Sequence, residues 1–162
     1  MVAHPEEDRE RRWVAAPVRS NGQHMNLFTK TGRLGRAKPS QPAFSIYMTV
    51  QNLTRKTVLG TAVELAGSGE TRRKGLLGRT GLEPGGGLWI VPCESVHTFF
   101  MRFPIDLVYL DRKNRVRKVR HAVGPWRLSA CLTAHSVLEL PAGTARESLT
   151  ERGDTLELAS RI

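Results

Sequence analysis

The stretch HTFFMRFPIDLVYLD, residues 97–111, sets four polar side chains, His97, Thr98, Arg102 and Asp106, into an otherwise apolar run. An imidazole can act as base, ligand or proton switch near neutral pH. Asp106 is the sharpest anomaly. Its neighbours on one strand face, Val108 and Leu110, are apolar, and an ionised carboxylate left unpaired among them is costly. It needs donors, and two sources are open: Arg79, further up the chain, or backbone N–H groups near the break at Pro104. Asp106 is thus either the pin of a bulge or loop, or a member of a site. His97 carries the same two readings, as a hydrogen-bonded core residue or as a site residue. Arg79, His97, Thr98, Arg102 and Asp106 together form the candidate rim for a small ligand or a protein segment.

Other chemistries find less support in the residues. Cys93, His97 and Met101 fall four apart, which on a helix would make a soft-metal stripe of the copper(I) type. On a strand each step stretches to about 13 Å, beyond any shared ion. His135 and Glu139 raise a cupin-like metal site, but His97, His121 and His135 include no HxH pair. The loop LEPGGGLWIVP lacks the following helix and the Lys-Ser/Thr pair of a phosphate cradle. No GxSxG elbow is present, and Ser129 and Ser136 have no distinctive setting. The expectation is a non-catalytic binding domain with no metal and no cofactor; a metal-assisted enzyme of unknown reaction stays as an alternative.

Charge suggests a second kind of partner. The net charge is +10 over 162 residues, with eight Lys/Arg against four acids in residues 1–47 and seventeen against eleven in the remainder. A basic hairpin carries Arg112, Lys113, Arg115, Arg117, Lys118 and Arg120. Such a ribbon could track the phosphates of a nucleic acid or another polyanion. The same charges also protect an exposed edge strand from pairing, and no aromatic residues interleave with them for base stacking. Two cysteines without CxxC spacing make no disulfide framework, no export signal opens the chain, and no apolar run reaches the ~18 residues of a membrane span. A reduced cytoplasm is the expected compartment.

The elements that must position these residues are mostly short strands. Residues 1–47 show no period of 2 or 3.6 and read as a disordered basic extension, with Met48 the natural domain start and a mis-assigned upstream start the explanation for what precedes it. A strand is expected over 57–65 and a short helix over 69–77, capped by Ser68 and carrying Gly75 inside it. A short strand follows at 88–91. Residues 97–102 and 105–110 read as two strands broken at Pro104, with Asp106, Val108 and Leu110 facing one way and Ile105, Leu107 and Tyr109 the other. The turn DRKN leads to a return strand in RVRKVRHAV whose valine spacing implies a bulge. GPWRLSACLTAH is read as irregular, SVLELPAG as a strand and turn, TARE (144–147) as one capped helical turn, and TLELA as a last strand. This composition predicts a mainly β domain over 48–162, an antiparallel sandwich or barrel with one or two short helices.

The order RRKGLLGR, LWIV, HTFFMRFPIDLVYLD, SVLELPAG and a closing GD resembles domain of unknown function family 192, a bacterial and archaeal family, over roughly residues 50–160. The resemblance implies a mainly β, jelly-roll-like fold and no established activity. Many members carry a tryptophan and an asparagine where this chain reads FFMRF, so no role of those residues carries over. Some relatives look exported or lipid-anchored; this chain departs from them.

Overall fold

The computed structural model describes residues 46–160. The expectation for residues 1–47 lies, apart from Ile46 and Tyr47, outside them. Nine strands and two short helices follow in the order β1 Tyr47–Asn52, β2 Thr57–Ala66, α1 Gly69–Lys74, β3 Gly86–Ile90, β4 Ser95–His97, β5 Ile105–Leu110, β6 Val116–Val123, β7 Leu128–Ala130, β8 Ser136–Pro141, α2 Thr144–Glu147 and β9 Leu156–Ser160. The fold is mainly β. Seven strands form one sheet in the order β6-β5-β8-β3-β2-β1-β9, and β4 pairs with β7 in a separate ribbon. All pairings are antiparallel except β2 with β3, which run parallel because the segment holding α1 crosses between them. The sheet curls far enough for its two edges to meet at one end. There Arg115 and Thr155 form a bridge, with the Leu156 N–H donating to the Asn114 carbonyl at 3.0 Å and the Val116 N–H to the Asp154 carbonyl at 2.8 Å. The result is a half-barrel.

Both faces of the central strands are covered. Inside the curl pack Val50, Leu59, Val63, Val108, Leu110, Leu138, Leu140 and Leu156. On the outer face, Leu88, Ile90, Ile105, Leu107, Tyr109 and Val137 lie beneath the loops and the β4–β7 ribbon, against Leu76, Val96 and Met101. A strand buried on both sides has no need of polar alternation. That is why IDLVYL is buried at every residue and why its two faces divide as the alternation requires.

Several local expectations need correction. The helix expected over 69–77 stops at Lys74, because Gly75 takes a φ of +47° that a helix cannot continue. Leu76 is still buried, but from a turn. The strand expected over 97–102 amounts to Ser95–His97; the chain then turns, with Phe100 at a φ of +63°. Within the segment read as irregular, Leu128–Ala130 forms β7. The turn TARE is helical but has no side-chain cap. A carboxylate from elsewhere in the chain supplies its N-terminus instead.

Candidate functional site

That carboxylate is Asp106. It is fully buried, and its oxygens accept three backbone N–H groups, from Ala122 at 2.7 Å, Gly143 at 3.0 Å and Ala145 at 2.9 Å. Ala122, with a φ of +46°, lies on β6 where the β5–β6 register shifts. Gly143 and Ala145 open α2. One side chain therefore joins β5, the β6 bulge and the α2 turn, with backbone groups as the donors and Arg79 elsewhere.

Arg79 is engaged on the outer face of the sheet. Its two terminal nitrogens reach the two oxygens of Glu64, each at 2.8 Å, in the fork geometry that guanidinium and carboxylate share. Glu64 stands in register with Leu88 on β3, and Leu88 with Glu139 on β8. Two carboxylates thus flank one leucine, about 10 Å apart across two strand spacings. Arg79 is locked to the first and feels the charge of the second.

Glu139 has no such lock. The residue is 4% exposed, and its Oε2 has no hydrogen-bond partner among the described residues. Burial pushes its carboxyl up to about 7, with the nearby charge of Arg79 pulling the other way. Glu139 is among the residues that line a cavity of about 550 Å³. Leu76, Ile90, Val96 and Met101 give that cavity apolar walls, and Arg72, Arg73 and Lys74, from the last turn of α1, border it with positive charge. Cys93 and His97 also line it. The Cys93 Sγ donates to the Ser95 carbonyl at 3.1 Å, and burial pushes its thiol up, away from the thiolate a nucleophile requires.

Cys93, His97 and Met101 thus border one cavity, because the chain turns after β4 instead of running on as a strand. Among the described residues, no group of three or more His, Cys, Asp and Glu side chains could hold a metal ion. The face of His97 stacks on Phe99 with centroids 5.1 Å apart, and Phe99 and Phe100 contact Trp126 at 5.7 Å and 4.7 Å. An aromatic cluster therefore extends outward from the edge of the cavity, with Phe100 and Trp126 exposed.

A family model described as an uncharacterised ACR family, DUF192, matches residues 50–158. The chain belongs to the DUF192 family. Two solved structures share its fold. One is a candidate transcription regulator from Sinorhizobium meliloti 1021, 23% identical, with a TM-score of 0.62 over 71% of this chain and 94% of that one. The other is a protein of unknown function from Novosphingobium aromaticivorans DSM 12444, 22% identical, with a TM-score of 0.61 over 78% of this chain and 99% of that one. Comparison with curated proteins found no match.

Within this DUF192 domain the five expected rim residues do not converge. His97 borders the cavity, and Arg79 is electrostatically coupled to its floor. Thr98 is buried; its hydroxyl donates to the Gly124 carbonyl at 2.8 Å and accepts from the Arg127 N–H at 2.9 Å, tying the aromatic segment to the β7 side. Arg102 is exposed on the turn, and Asp106 points inward beneath α2. Of the hairpin cations, Arg115 Nε donates to the Gly153 carbonyl and Lys118 Nζ to the Ala130 carbonyl, while Arg117 lies 3.9 Å from Asp111. Arg112, Lys113 and Arg120 are exposed. Among the described residues no helix is long and apolar enough to cross a membrane.

The sequence singles out Glu139 only as a metal ligand beside His135, and it does not single out Arg72–Lys74. A usable signal was present: Glu139 sits between Leu138 and Leu140, as Asp106 sits between Ile105 and Leu107.

Proposed function

We propose that this DUF192 domain is a non-catalytic binding module that takes a small organic ligand in the cavity above Glu139. One observation carries the reading: Glu139, whose Oε2 is buried without a protein partner, is among the residues lining a cavity large enough for a metabolite. Unpaired buried polar groups are rare in folded proteins, and one at the bottom of a cleft is what a ligand-binding site needs before its ligand arrives. Arg79 belongs to the site indirectly, holding Glu64 while setting the field at Glu139. His97 supplies one wall. Thr98 and Asp106 serve the site by fixing the loops and strands around it.

The Cys93 thiol donates a hydrogen bond to the Ser95 carbonyl, and burial disfavours its thiolate. Hydrogen bonding and charge in the lining support the binding reading.

A thermal-shift screen of metabolites against the full chain tests this. At least one compound should raise the melting temperature of the wild type, and Val96→Trp, which fills the cavity, should remove that shift while leaving the protein folded. Hits that stabilise wild type and Val96→Trp alike would place the ligand elsewhere and end the proposal; so would a broad screen without hits.

A further inference from the structure

The lining of the cavity carries both signs. Glu139 is an acceptor lacking a donor, whereas Arg72, Arg73 and Lys74 bring three successive cations. Arg73 Nε donates to the Gly69 carbonyl, which places that guanidinium on the surface of α1. The apolar part of the lining is Leu76, Ile90, Val96 and Met101. A simple anion would be drawn to the border but would carry negative charge toward the Glu139 carboxylate. A simple cation would satisfy Glu139 but would meet three like charges. A molecule carrying both signs on a small apolar body meets every part of the lining with its complement.

We infer that the ligand of this cavity is a small zwitterion, its amine directed at Glu139 and its carboxylate or phosphate at Arg72, Arg73 and Lys74. This rests on the binding reading above and narrows it to one chemical class. An ammonium group is suited to the floor because it brings several N–H donors to a carboxylate that has none, and a charge-assisted hydrogen bond in a water-poor site is among the stronger ones. The other charged or titratable groups around Glu139 are Glu64 from β2 with its partner Arg79, Arg72, Arg73 and Lys74 from α1, and Cys93 and His97 from the β4 segment. None of them relieves the orphaned oxygen.

Bound amine favours the ionised carboxylate. Glu139 holds its proton up to about 7, so amine binding expels that proton and affinity rises with pH through that value. A simple anion contacting the border alone shows no such rise.

The test is isothermal titration of the full chain at pH 6 and pH 8 with L-leucine, an amino carboxylate, and O-phosphoethanolamine, an amino phosphate. Two single-ended analogues, 4-methylpentanoate and 3-methylbutylamine, serve as comparisons. At least one zwitterion should bind about tenfold more tightly than either analogue, the weight of one charged hydrogen bond, and more tightly at pH 8 than at pH 6. Glu139→Gln should lose most of that preference and its pH dependence, and Arg72→Gln with Lys74→Gln should weaken the zwitterion toward the level of the amine. Which zwitterion wins distinguishes the carboxylate from the phosphate. If 4-methylpentanoate binds as well as L-leucine, or if neither zwitterion binds, the inference is wrong. The broader proposal then stands or falls separately, on whether Val96→Trp removes the shifts found in the metabolite screen.

Discussion

Replacing Glu139 by glutamine should make this protein more stable at neutral pH, and the gain can be worked out in advance. In the unfolded chain the carboxyl loses its proton near the ordinary value of 4.5; in the fold it keeps it up to about 7. A difference of that size corresponds to about 3 kcal/mol between protonated and ionised forms. The folded state binds more protons between the two values, so this group's contribution to stability falls as pH rises through that window and is constant above it. Glutamine has nearly the shape of the neutral acid and carries no charge to desolvate. Glu139→Gln should therefore match the wild type near pH 4.5 and exceed it at pH 8 by up to about 3 kcal/mol, on the order of 10 °C in melting temperature for a domain of this size. Urea unfolding of both proteins at several pH values between 4.5 and 8.5 gives the difference curve, in which contributions from other titrating groups cancel. A flat curve, or a variant less stable than wild type at pH 8, would falsify the claim that the Glu139 carboxylate lies buried without a donor. A gain in stability at the expense of the proposed binding is the trade expected of a functional residue.

Four further outcomes follow from the same structure. Asp106→Ala strands three backbone donors at once and should cost roughly 3–5 kcal/mol in urea unfolding, as breaking a buried charged network does; a loss under 1 kcal/mol would contradict that role. Gly87→Ala places a Cβ 2.7 Å from the Glu139 carbonyl and 2.9 Å from Leu140 Cδ2, so it should destabilise by about 1–3 kcal/mol although alanine is the better residue elsewhere. At Asp154, burial works against the charged form but is outweighed by donors from Asn52, the Glu151 N–H and Arg55, which leave its carboxyl below the ordinary aspartate value. Its stabilisation is present above the unfolded aspartate pKa and lost as pH falls through the folded one, so Asp154→Ala should flatten the acid limb of the stability curve. Cys93, its thiol raised by burial, should react with a disulfide reagent more slowly at pH 7.5 than an unstructured thiol, judged in a Cys131→Ser background.

Most of the architecture could be read from local patterns. The alternation in IDLVYL assigns each apolar residue of β5 to its face. The misses share a physical origin. The segment after His97 looked like strand because Thr, Phe and Phe favour that state. Its path is instead set by Thr98, whose hydroxyl bonds backbone groups 26 and 29 residues away. The parallel pairing of β2 with β3 depends on a crossover that carries no sequence signature beyond a short helix.

The two buried carboxylates bring out the same limit at the site. Asp106 and Glu139 each interrupt an apolar strand, so the rule that marks one as costly marks the other equally. What separates them is supply. Asp106 meets donors 16, 37 and 39 residues away, brought to it by the β6 bulge and the opening of α2. Glu139 meets a cavity, and Arg79, the guanidinium whose charge reaches it, is held in a fork by Glu64. Local sequence can state that a charge is buried, but whether it is satisfied depends on long-range topology. A carboxylate left over once the fold has distributed its donors can be satisfied from outside the chain, which places the proposed site at Glu139 and leaves Asp106 to the scaffold.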